Sequence, residues 1–211
     1  MIPCFRFSIL TLVCGLSAVM AGCAISPSAH FYTLAPLAAT NAAQQQAVAY
    51  SISVSQISLP EFLDRPQLVL TLDENRVQLL ENHRWAEPLK SAISRVLAEN
   101  LSRLLGADQV SWYPQGAVYR ADYRILADFQ RFETSGDRVT VDAIWTVRSS
   151  HNAPAKTGRS RIVKQIDGTG YEAVAAAYSR ALGAVSAEIA AAISKDLRSS
   201  VQSASSAFHC L

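Results

Sequence analysis

Four histidines, four cysteines and seventeen carboxylates are the groups in this 211-residue chain that could break bonds or hold a metal. His30, His83, His151 and His209 stand singly in unlike contexts, none at metal-ligand spacing from another histidine, cysteine or acid. No G-x-S-x-G elbow, phosphate-binding glycine loop or zinc ribbon occurs. Asp73 and Glu74 are neighbours, but they sit in the polar turn "DENR", where carboxylates are solvated. Gly168-Thr169-Gly170 precedes a helical segment whose first amides could face an anion. Without further glycines or a basic partner, it reads as a plain turn into a helix. The other carboxylates are scattered along strand-like segments. No catalytic residue and no metal ligand is assigned, and the chain is expected not to be an enzyme. That leaves the thiols.

Cys23 is set apart by what precedes it. Arg6 and the amino terminus make a basic start, and "FSILTLVCGLSAVMAG" then runs sixteen residues without a charge. As a helix that run reaches roughly 24 Å, short of a bilayer's ~30 Å hydrocarbon core. A basic start, a short apolar stretch and a small-residue exit describe a secretory signal peptide over residues 1–22; an uncleaved membrane anchor is the competing reading. Met20-Ala21-Gly22-Cys23 resembles a bacterial lipobox, with Met20 where Leu is commoner. That resemblance implies a diacylglycerol thioether on Cys23 and an acyl chain on its freed amino group. Several chains anchor a protein stably, at ~0.8 kcal/mol per buried CH₂. An ordinary signal peptide cut elsewhere, with Cys23 incidental, is the alternative. Cys4 and Cys14 would leave with the signal, so Cys210 remains as a lone thiol and no intramolecular disulfide is expected. Ala24, rather than Asp, follows Cys23; by resemblance to lipoprotein sorting this implies the outer membrane and its periplasmic face.

Composition narrows the remaining classes. The chain is 50% hydrophobic and 17% charged, with a net charge of +2 that becomes +1 once Arg6 leaves. That balance gives no electrostatic footprint for nucleic acid. No nucleic-acid partner is expected, and one domain can bury its core without disulfide staples.

The elements follow from periodicity. After a tether at residues 23–30, "FYTL" reads as a first strand, and the Ala/Gln-rich residues 35–49 as a loop. "YSISVSQISLP" alternates, with Tyr50, Ile52 and Val54 on one face and serines on the other; the phase slips at Gln56, predicting a bulge. "DRPQLVLTL" and "VQLLEN" flank "DENR" as a hairpin. From Pro88 the period turns helical through Leu89, Ile93, Val96, Leu97, Leu101 and Leu104, ending at Gly106. Strands follow at "QVSWYP", "YRILADFQRFE", "RVTVDAIWTVRS" and "SRIVKQI", the middle two joined across "TSGD". Thr169, with Glu172 as a capping box, starts a long helix whose stripe is Val174, Tyr178, Leu182, Val185, Ile189 and Ile193. The predicted fold is α+β: a two-layer domain over residues 31–198, with a mostly antiparallel sheet packed by two amphipathic helices. A flexible tail is expected at 199–211.

Two stretches are more specific, "LPEFLDRPQLV" at 59–69 and "RWAEPLKSAISRVLAENL" at 84–101. With "FYTL" after the lipobox, they resemble the family of ABC-type transport auxiliary lipoproteins, of the PqiC kind. Leu59-Pro60, Leu63-Asp64-Arg65-Pro66-Gln67 and Arg84 through Leu89 match its segments in order, with Phe62 where Tyr is usual. The resemblance implies an auxiliary subunit of an intermembrane lipid-transport system that supports envelope integrity. Its implied partner is a membrane-spanning MCE-domain protein of the PqiB kind, and a homo-oligomeric ring would suit a tubular partner. No cofactor is implied beyond the chains on Cys23. Arg65, Arg84 and Trp85 are the candidates for partner contact, since Arg and Trp anchor interfaces more than most residues; fold construction is the competing role. A carrier holding a hydrophobic ligand between sheet and helices, or a purely structural envelope lipoprotein, are the alternatives.

Overall fold

The computed structural model describes residues 27–38, 48–113, 121–150 and 154–208. Cys23, His151, His209, Cys210 and the expected signal segment lie outside the described residues. The strands are β1 (His30–Tyr32), β2 (Val48–Ser58), β3 (Gln67–Asp73), β4 (Arg76–Trp85), β5 (Ala107–Trp112), β6 (Tyr123–Ser135), β7 (Arg138–Ser149) and β8 (Lys156–Gln165). The helices are α1 (Leu89–Leu105) and α2 (Tyr171–Phe208), with one 3₁₀ turn at Glu61–Leu63. Among the described residues no helix is long and apolar enough to cross a membrane.

The α+β class and its two helices are as the periodicity predicts; the strands divide further, into two mixed sheets. One has the order β1-β4-β3 and the other β5-β2-β6-β7-β8. The β3–β4 hairpin and the β6-β7-β8 meander are antiparallel and carry the longer ladders. β1 runs parallel to β4, and β2 runs parallel to both β5 and β6. Alternation fixes which face of a strand is buried but not which strand lies beside it, so these parallel pairs are invisible to it.

The large sheet carries both helices. α1 packs on β2 and β5, α2 on β7 and β8, and the helices pack on each other. Ile52, Val54, Ile93, Val96, Leu97, Leu101, Leu182, Val185 and Ile189 are fully buried between them. Leu105 is buried where the predicted stripe has Leu104, which is only partly covered. Asn100 is buried inside this layer and satisfied: its carbonyl accepts from Leu37 N–H at 2.7 Å and its amide donates to Ser186 Oγ at 3.1 Å. Gly106 ends α1 with φ 66°, its N–H bonded to the Ser102 carbonyl, as a left-handed C-cap requires.

Two bulges re-aim side chains. β2 shifts register between Val54 and Ile57, as the slip at Gln56 predicts. β6 shifts between Phe129 and Arg131, so Phe129 and Phe132, three apart, both reach the core. The serines of β2 depart from expectation. Ser51 and Ser53 are buried, and Ser51 gives its N–H and hydroxyl to Asp122 at 2.8 Å each. α2 begins at Tyr171, after Gly170 with φ 85°, rather than at a Thr169 cap. The helix runs on to Phe208, through much of the segment the sequence reading gives to a tail.

Candidate functional site

Three stretches far apart in the chain meet at the start of α1. Leu63, buried, pins the 3₁₀ turn, and its N–H bonds to the Pro60 carbonyl at 3.0 Å. Pro66 fixes the chain after that turn and has no N–H of its own. Its carbonyl accepts from Trp85 N–H at 2.7 Å, and the Tyr32 carbonyl accepts from Ala86 N–H at 2.8 Å. Pro88 takes the N-cap position of α1 without a side-chain cap.

Charge pairs reinforce the junction. Lys90, in the first turn of α1, donates to Asp64 Oδ2 at 2.8 Å. Glu87 accepts from Arg95 at 2.7 Å, and Arg95 also donates to Glu99 at 3.1 Å and to the Leu34 carbonyl at 3.0 Å. Burial works against the Arg95 charge, but the hydrogen bonds it donates to Glu87 and Glu99 outweigh that and hold its pKa above the ordinary value. These stretches are the ones that carry the sequence resemblance.

Between them lies an open cleft of about 410 Å³, walled by residues 64–66 on one side and 85–89 on the other. The expected contact residues divide around it. Arg65 lines the cleft, half-buried, and its Nε is sealed from solvent with nothing among the described residues to accept its proton. Trp85 is 6% exposed and forms the floor, edge-on to Tyr178 at 6.1 Å. Tyr178 stacks on Phe132 at 4.0 Å, and its hydroxyl accepts from Thr134 at 2.9 Å. Burial, ahead of the Glu133 charge, pushes the Tyr178 phenol well above its usual range, so it stays neutral. Arg84 stands outside the cleft wall, its Nε donating to the Glu81 carbonyl at 2.8 Å. Lys90 is the participant that sequence reasoning missed; its signal was its place in the first turn beyond Pro88.

The histidines need one correction. His30 and His83 are not solitary: β1 pairs with β4 so that they are register partners, with rings stacked 5.2 Å apart. Tyr32 Oη lies 2.7 Å from His83 Nδ1, and Tyr171 packs on the same ring at 4.2 Å. Fifty-three residues of separation hid the pair. Among the described residues no group of three or more histidines, cysteines and acids could hold a metal ion.

The family model for the ABC-type transport auxiliary lipoprotein component matches residues 32–190, which include all three converging stretches. The chain belongs to this family. The crystal structure of protein XCC0632 from Xanthomonas campestris superposes on this auxiliary lipoprotein with a TM-score of 0.67 at 19% identity, covering 82% of this chain and 99% of that one. A crystal structure of an uncharacterized protein gives a TM-score of 0.65 at 17% identity, covering 79% and 99%. Both show the same fold. No curated protein matches the chain.

Proposed function

We propose that the chain is a non-catalytic lipoprotein, acylated at Cys23 and held at the periplasmic face of the outer membrane. In this reading it docks a membrane-spanning MCE-domain protein and serves as the auxiliary subunit of an intermembrane lipid-transport system. The cleft between residues 64–66 and 85–89 is the docking site. The observation that carries this is the convergence of the resemblance-bearing stretches on one cleft beside Arg65, whose buried Nε lacks an acceptor. A buried donor without a partner is costly, and an acidic or carbonyl group from a docked protein relieves that cost once the Arg65 side chain swings out into the cleft it lines. The neighbouring charges are already engaged, Lys90 with Asp64 and Arg95 with Glu87.

The test is a photo-crosslinker placed at Ala86, exposed on the cleft wall, in intact envelopes. Recovery of an MCE-domain protein supports the reading; recovery of none, from protein that is correctly anchored, removes it. A second reading has the cleft hold a small hydrophobic ligand, since about 410 Å³ falls within the ~300–1,000 Å³ of ligand pockets. That would differ from the carrier expected between sheet and helices, where the interface is filled by fully buried side chains. Beneath the cleft, beside Trp85 and Tyr178, the remaining space is about 10 Å³, too little for a lipid chain to continue inward.

A further inference from the structure

The β3–β4 hairpin exposes apolar side chains at the end of the small sheet. Val77 is 49% exposed and Leu79 37%, both on one face of β4. Leu72 is 52% exposed and sits at the register shift beside the turn. Apolar side chains gathered at one end of a fold mark a contact surface rather than chance exposure.

The path of the chain says what covers them. β1 runs parallel to β4, with His30 opposite His83 and Tyr32 opposite Trp85. The chain therefore enters β1 from the side of the β3–β4 turn. His30 is seven residues beyond Cys23, a reach of at most ~25 Å when extended. Going back along β4 from His83 to Val77 covers six residues, or ~20 Å. The entry to β1 and the β3–β4 turn thus lie toward the same end of the small sheet, and the reach of seven residues is similar to the distance back to Val77. Phe31, eight residues beyond Cys23, is 64% exposed close to where the tether joins.

We infer that the end of the β3–β4 hairpin is a membrane-contact surface, with Leu72, Val77 and Leu79 resting in the headgroup region of the bilayer that holds the acyl chains. The inference rests on acylation of Cys23. Asp73, Glu74 and Arg76 in the turn carry a net negative charge, so the contact is apolar and suits zwitterionic lipid; it does not depend on anionic lipid. With the hairpin seated, the small sheet holds one face of the domain to the membrane and the body cannot swing freely on its tether.

The experiment uses the acylated protein, with Cys210→Ser, reconstituted into phosphatidylethanolamine/phosphatidylcholine vesicles. Spin labels are placed singly at Val77→Cys, at Leu79→Cys and, as a control on the far edge of the large sheet, at Val163→Cys. Labels at 77 and 79 are expected to lose accessibility to a water-soluble nickel relaxant and gain it to oxygen, while the label at 163 stays open to nickel. The same labels on a soluble Cys23→Ser form should all be open to nickel. If the protein sediments with vesicles but labels at 77 and 79 remain open to nickel, the contact surface is refuted and the anchor stands. If they are shielded already in the soluble form, a second copy covers them and the inference also falls. If the protein does not sediment with vesicles, the anchor fails and this inference with it.

Discussion

Arg65 and Trp85 are both polar-tipped side chains in neighbouring motifs, yet burial gives them different work. Trp85 is buried beneath the cleft, with Tyr178 edge-on to its indole. Trp85→Ala is expected to lower stability by ~3–5 kcal/mol, read as the urea midpoint, so any loss of binding in that variant reports folding. Asp142 makes a further residue-scale prediction. Its buried carboxylate accepts two hydrogen bonds from Arg159, at 2.8 and 2.7 Å, and one from Arg161 at 3.0 Å. The Arg159 hydrogen bond chiefly holds its pKa below the usual carboxylate range, against burial and with help from Arg161. A depressed folded pKa contributes stability above the unfolded value, ~3.9, and that contribution fades as pH falls through the folded value. Between pH 5 and pH 2 the urea midpoint of Asp142→Asn should therefore fall less steeply than that of the native chain. Sequence reasoning named the Arg and Trp by type, but it had no means of seeing that one is sealed and the other lacks a partner.

At the scale of elements, what was legible is what periodicity encodes. The stripe Val174–Tyr178–Leu182–Val185–Ile189–Ile193 is buried along α2, and the slip at Gln56 is a bulge. The second bulge in β6 was hidden because Phe129 and Phe132 look out of phase until Gln130 is left unpaired. Parallel pairing of β2 with β5 and β6 depends on chain path, which no local pattern records. β8 illustrates a contact that only pairing reveals: Gly158 lies opposite Trp145, and a Cβ there would collide with the indole. The indole cannot swing away easily, since its N–H donates to Ser160 Oγ at 2.9 Å and Ser160 in turn donates to Glu188. Gly158→Ala should therefore cost ~1–3 kcal/mol in the thermal or urea transition. An unchanged midpoint would mean that the β7–β8 ladder relaxes at this point.

For the whole molecule, the sequence supplied the motifs and the structure supplied their meeting place. The stretches at 59–67 and 84–90 are separated by a hairpin, and nothing in their spacing shows that Pro66 and Trp85 are hydrogen-bonded across one cleft. Arg84 looked equal to Arg65 by type; its turn toward the Glu81 carbonyl takes it away from the cleft wall. The central claim is that this cleft docks a transport partner through Arg65, whose buried Nε has no acceptor among the described residues. It is tested most directly by titrating the periplasmic region of an MCE-domain protein, the proposed partner, against the native protein and Arg65→Ala, with melting temperatures measured alongside. Among the described residues nothing accepts from the guanidinium's Nε, so melting should change little, while affinity falls roughly tenfold or more. Equal affinities for the two proteins, both folded, would contradict the claim.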